Sequence, residues 1–158
     1  MHPDPLALFL TWTTYGTWLP GDERGWSRHG RRGLAGDSGK QRFASSQMAE
    51  PACVLTPDQR DLVSDVIGRH CEIRGWPPHA ATVRSNHTHV VLSVVGIEPA
   101  EPRRQLNAWT TRRLRERFPG RSNWWTEGGD ITFLNTDAAV TEAVRYVTEA
   151  QDRKGHDA

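Results

Sequence analysis

Tyrosine, cysteine and lysine are scarce in this 158-residue chain, with two residues of each. Cys53 and Cys71 have no C-x-x-C spacing. That excludes a disulfide scaffold and a thiolate zinc site, and predicts two reduced thiols in or beside the core. No apolar run approaches the roughly 20 residues needed to cross a bilayer. The opening "MHPDPLALFLTW" has no basic segment before its apolar stretch, so it does not read as a signal peptide, and the expected location is cytoplasmic. Bulk charge is small as well: the net charge of +1 by itself points to no partner.

What the chain does have is arginine. Of its 20 Lys and Arg residues only Lys40 and Lys154 are lysines, leaving 18 arginines. Arginine grips phosphate bidentately and stacks on bases, which suits nucleic acid; a GC-rich coding bias would raise arginine equally well. Clustering is more telling. "RHGRRG" (28–33) and "RRQLNAWTTRRLRER" (103–117) gather the positive charge, and seven tryptophans lie in or near these segments. This is a surface compatible with nucleic acid.

A hydrophobic fraction of 36% and a charged fraction of 25% fit one packed domain over residues 1–158. "LALFLTW" (6–12) reads as a buried strand. Residues 21–55 show no periodicity and are rich in Gly, Ser and Arg, so a long basic loop is expected there. A helix follows, with Thr56 as cap, Pro57 in the first turn, Gln59 completing a capping box and Gly75 as its stop. Its apolar positions are Leu62, Val63, Val66, Ile67 and His70. Residues 79–84 and 87–95 read as paired strands around Ser85-Asn86. Residues 102–118 form a basic helix with Leu106, Trp109, Leu114 and Phe118 on its packed face. A strand then ends near Leu134, and Thr136 caps a last helix from 137 to about 152. Four strands with two crossovers predict an α+β, ferredoxin-like antiparallel sheet with helices on one face plus a C-terminal helix.

Chemistry is concentrated in "NHTHVVL" (86–92). On a strand, His87 and His89 share a face. By composition roughly 0.3 such H-x-H pairs are expected at random, so the spacing alone suits two surface histidines as well as a metal platform. Two imidazoles are too few for a closed zinc site, but they suit an open one completed by a third ligand and substrate. The second clue lies on the last helix. At 100° per residue, with Val140 at zero, Val144, Val147 and Ala143 fall within about 60°, whereas Tyr146 falls near about −120°, off the apolar stripe. Gln151 returns to about 20°, facing the sheet, and Glu149 to about 180°, facing solvent.

These residues, with "AVRYVTEAQD" and the opening "FLTWTTYGTWLPGD", resemble the HUH-type single-tyrosine transposases, and more closely the insertion-sequence-200-like and REP-associated tyrosine transposases of prokaryotes. The likeness covers most of the chain. In the His–hydrophobic–His signature the middle residue is here Thr88. The resemblance implies that His87 and His89 bind Mg²⁺ or Mn²⁺, and that Tyr146 attacks a scissile phosphate to give a 5′-phosphotyrosine and a free 3′-OH. It implies a substrate of single-stranded DNA beside a hairpin, and work at the nucleoid. The family supplies a third ligand, Gln or Asn, four residues after the tyrosine. That position is Ala150, so Gln151, or alternatively Glu149, is expected to substitute. The basic helix is expected to track phosphates through Arg103, Arg104, Arg112 and Arg113, with Arg31 and Arg32 clamping a hairpin or lying in a free loop. Homodimers and monomers both fit the resemblance. Two other readings stay open: a catalytically silent hairpin-binding protein of the same fold, and a small metal-binding protein using the histidines alone.

Overall fold

The computed structural model describes residues 4–19, 21–24, 26–28 and 31–150. Alternation in the first apolar run produces β1 (Ala7–Thr13), in which Leu8, Leu10 and Trp12 are fully buried on one face while Ala7, Phe9, Thr11 and Thr13 take the other. Three more strands join it: β4 (Pro78–Val83), β5 (His87–Leu92) and β6 (Asp130–Leu134). The sheet order is β4-β5-β1-β6, antiparallel throughout. β1 and β5 are central, which explains why β5 is buried on both faces from Thr88 onward.

The crossovers are α2 (Pro57–Arg74) and α3 (Ala100–Arg117). The capping box forms as expected: Gln59 N–H donates to Thr56 Oγ1 and Thr56 N–H to Gln59 Oε1, and Gly75 ends α2 in a left-handed conformation. Val63, Ile67 and Cys71 of α2 join Leu106 and Leu114 of α3 over Leu8, Leu10, Trp12, Val90 and Leu92. At roughly 2 kcal/mol for each fully buried large aliphatic chain, this layer holds the domain together. The other face carries a smaller core, in which Ala143 and Val147 cover Ala7, Val91 and Leu134. The expected fold class therefore holds, with α2 and α3 on one face and the C-terminal helix on the opposite one.

Four expectations change. Residues 21–55 are not a bare loop. They hold a hairpin of β2 (Trp26–Arg28) and β3 (Arg31–Leu34), followed by α1 (Ser38–Ser46), capped by Asp37 through the Lys40 N–H. No residue of α1 is buried, so the helix carries no apolar stripe for a sequence pattern to reveal. β5 stops at Leu92 rather than Val95, where Ser93 N–H turns to the Pro77 carbonyl. On α3 the buried stripe is Pro102, Leu106, Thr110 and Leu114. Trp109, expected to pack, is 42% exposed, because Thr110 takes the inward position: its hydroxyl donates to Leu106 O and accepts from Trp125 Nε1. Finally, the last helix is α-helical only as α4 (Asp137–Arg145); Tyr146–Ala150 forms a π turn. The hundred-degree wheel therefore ceases to apply at the tyrosine.

Candidate active site

The β4–β5 hairpin places the histidines. Arg84 N–H donates to His87 O across the tight turn, and the register sets Thr11 opposite His89 and Thr13 opposite His87. Alternation then sends His87 and His89 to the α4 face and Thr88 to the α2–α3 core. Thr88 is fully buried there, and its hydroxyl meets no hydrogen-bond partner. It fills an apolar slot, which accounts for the hydrophobic residue that the H-x-H signature usually has between its histidines.

The rings of His87 and His89 stand 4.8 Å apart between centroids. Each has its Nδ1 engaged: His87 Nδ1–H donates to Asn86 Oδ1 at 2.6 Å, and His89 Nδ1 is hydrogen-bonded to Thr11 Oγ1 at 3.0 Å. His89 is 6% exposed, and burial, reinforced by His87 and Arg84, pushes its imidazole down to about 4. A neutral imidazole oriented through Nδ1 is the form in which histidine binds a divalent cation through Nε2. The pair thus fits the cation that the resemblance implies. Among the described residues no third His, Cys, Asp or Glu completes a three-ligand cluster.

Tyr146 reaches this pair from the opposite end of the sequence. Thr136 caps α4 by accepting from Ala139 N–H, and Ala143 and Val147 dock on the sheet. At the π turn Thr82 of β4 donates its hydroxyl to Val147 O at 3.1 Å. The Tyr146 ring then lies 5.8 Å from His89 at 82°, with Phe9 as floor, 6.0 Å from Tyr146 and 5.4 Å from His89. Tyr146 is 36% exposed, so one side of the phenol is open to an incoming group. Glu149 is exposed on the solvent side; Gln151 lies outside the described residues.

The expected basic residues divide. Arg104 is spanned by the Glu101 carboxylate, which it holds down to about 2. Arg112 and Arg113 both share Glu116. Arg103, Arg104 and Arg112 line a cleft between α3 and residues 122–128, and Arg113 does not. Arg31 and Arg32 open β3, and their side chains lie outside the described set. Thr11 and Asn86 went unnoticed in the sequence. Asn86 precedes the pair directly, and Thr11 shares its face of β1 with Thr13, but only the strand register makes it a partner of His89.

No protein-family model matches the sequence. No curated protein matches it either. The architecture is nevertheless a known one: a ferredoxin-like sheet with two helices behind it and a further helix in front. A REP-associated tyrosine transposase bound to a REP hairpin shares it, with a TM-score of 0.60 and 12% identity over 98% of this chain and 72% of that one. A protein of Deinococcus radiodurans R1 assigned as a transposase shares it too, with a TM-score of 0.56 and 15% identity over 99% of this chain and 95% of that one. The chain has the fold of these transposases.

Proposed function

We propose that the protein is a DNA transposase that cleaves and rejoins single strands beside a hairpin, with Tyr146 as nucleophile. One observation carries this: the only tyrosine on α4 and its π turn is delivered, across 57 positions of sequence, against the second histidine of the pair. A purely structural tyrosine would gain nothing from an exposed edge beside two imidazoles oriented through Nδ1. The hairpin-bound transposase of the same fold supports a hairpin as the partner.

In this reading His87 and His89 hold Mg²⁺ or Mn²⁺, which supplies Lewis-acid polarisation of the scissile phosphate. Thr11 and Asn86 keep the two rings in the required tautomer and orientation. The Tyr146 oxygen attacks phosphorus, the bond to the 3′-oxygen breaks, and the proton lost by the phenol balances the one gained by the 3′-OH. The 5′-phosphotyrosine keeps the phosphodiester energy, so a 3′-OH can reverse the step and join strands. Gln151 is the third ligand we favour over Glu149 and Ala150. Glu149 is the weaker candidate because it is exposed on the solvent side. Arg103, Arg104 and Arg112 contribute affinity for phosphates, and Arg31 and Arg32 contact the hairpin.

Incubation with hairpin-bearing single-stranded DNA and Mn²⁺, resolved on a denaturing gel, tests the proposal. A covalent adduct is expected, lost in Tyr146→Phe and in His87→Ala. Ala150 at the family's usual ligand position favours a second reading, a silent hairpin-binding protein. Tight hairpin binding with no adduct on any repeat sequence would establish that one instead.

A further inference from the structure

The cleft between α3 and residues 122–128 lies behind the sheet, on the face opposite His87, His89 and Tyr146. Its volume is about 730 Å³, room for a stretch of single strand but not for a double helix. Arg103, Arg104, Arg112 and Arg115 line it against only Glu116 and Glu127. From Arg103 to Arg115 the helix rises about 18 Å, so the arginines form a row and not a point. At the far end Arg115 Nε–H donates to Ser122 O, tying the two walls together.

Arg103 is the informative member. Its Nε and Nη1 are buried and meet no hydrogen-bond acceptor, and one turn further on Asn107 Oδ1 is buried without a donor. Gly129 makes the close approach possible: at φ 137°, a Cβ there would stand 2.4 Å from Thr11 O and 2.8 Å from Arg103 Nη1. A guanidinium drawn partly out of water without a carboxylate is costly, and an anion supplied from outside offsets that cost. The same wall carries the half-buried indole of Trp125, whose Nε1–H is held by Thr110 Oγ1. A row of arginines beside an aromatic edge suits a phosphodiester strand with bases, where a simple anion would need only the charge.

We propose that this cleft is a single-strand DNA-binding site, separate from the tyrosine–histidine site and adding Arg115 and Asn107 to the residues that hold substrate. It rests on the DNA-processing reading only for the identity of its ligand.

The test uses the full-length Tyr146→Phe protein in EDTA, so that cleavage plays no part, with a fluorescein-labelled oligothymidylate that forms no hairpin. The double variant Arg103→Gln/Arg115→Gln should weaken binding about tenfold at low salt and flatten the slope of log K against log salt by about 1.4, roughly 0.7 per lost phosphate contact. Asn107→Asp, which leaves every arginine in place, should weaken binding as well. Arg117→Gln, exposed on the same helix but outside the cleft, should change it less than about twofold. Unaltered affinity and slope in both cleft variants would overturn the proposal, as would an equal loss in Arg117→Gln. Failure here with an intact Tyr146-dependent adduct would remove the cleft and leave the enzyme. Cleft-dependent binding without any adduct would do the reverse.

Discussion

The Tyr146 ring meets the His89 imidazole edge-on, 5.8 Å between centroids and at 82°, and both rest on Phe9. The tyrosine and histidine rings therefore share one apolar support. Phe9→Ala should destabilise the fold by about 2–3 kcal/mol and let both rings drift. In single-turnover assays adduct formation should slow well beyond the change in strand affinity. An unchanged rate in a correctly folded Phe9→Ala protein would show that the floor is only packing.

Thr11 and Asn86 touch the imidazoles through Nδ1. Thr11→Val and Asn86→Ala should each lower Mn²⁺ affinity about 10- to 100-fold while His87→Ala abolishes it, read by titration calorimetry. Equal Mn²⁺ affinity in Thr11→Val and the parent protein would remove Thr11 from the site.

Thr88 buries a hydroxyl with no partner. Thr88→Val should remove that penalty and raise stability by about 1 kcal/mol, seen as a higher thermal midpoint with the adduct reaction unchanged. A lower midpoint would mean that the hydroxyl is satisfied in solution.

The bond from Thr82 to the Val147 carbonyl pins the tyrosine segment to an edge strand. Thr82→Val should cost about 1 kcal/mol and accelerate amide hydrogen exchange at residues 146–150 before any change in α4. Uniform acceleration along both segments would argue that they open as one unit.

Asp22 is buried, and its carboxylate accepts from Arg24 N–H, Nε–H and Nη2–H. The side-chain hydrogen bond from Arg24 holds its carboxyl below the ordinary 3.8, against the opposing effect of burial. A carboxyl with a depressed folded-state pKa adds stability that is complete above its unfolded value and fades as pH falls through the folded one. Asp22→Asn should therefore lower the thermal midpoint by a constant amount between pH 5 and 7, with the gap to the parent closing below about pH 4. A gap that does not narrow at any pH down to acid unfolding would assign the loss to packing.

The four strands of the main sheet, the caps at Thr56 and Thr136 and the histidine pair were legible in the sequence because each leaves a local signature, whereas the β2–β3 hairpin was not. The Thr56-x-x-Gln59 box, the Thr136 cap and the alternation of β1 need no tertiary information. Helix α1 was not legible, since a helix that buries nothing has no stripe. Nor was the π turn, because periodicity sums over a window and a single widened turn disappears within it. The site itself was half legible. His87, His89 and Tyr146 stand out by type and spacing, but Thr11 becomes a site residue only through its pairing with His89, and Arg115 replaces Arg113 in the cleft only through the line of the 122–128 segment.

The π turn at Tyr146–Ala150 separates two frames of reference along one helix. Up to Arg145 the chain is indexed to the sheet by Ala143 and its neighbours; beyond the tyrosine it is indexed anew. A deletion of one residue just after Tyr146 would be absorbed by trading the π turn for an α turn, leaving the docking of α4 untouched. Spacing between the nucleophile and the next polar group is thus free to drift by a residue in evolution, and a motif that demands a fixed interval would overlook chains in which it has.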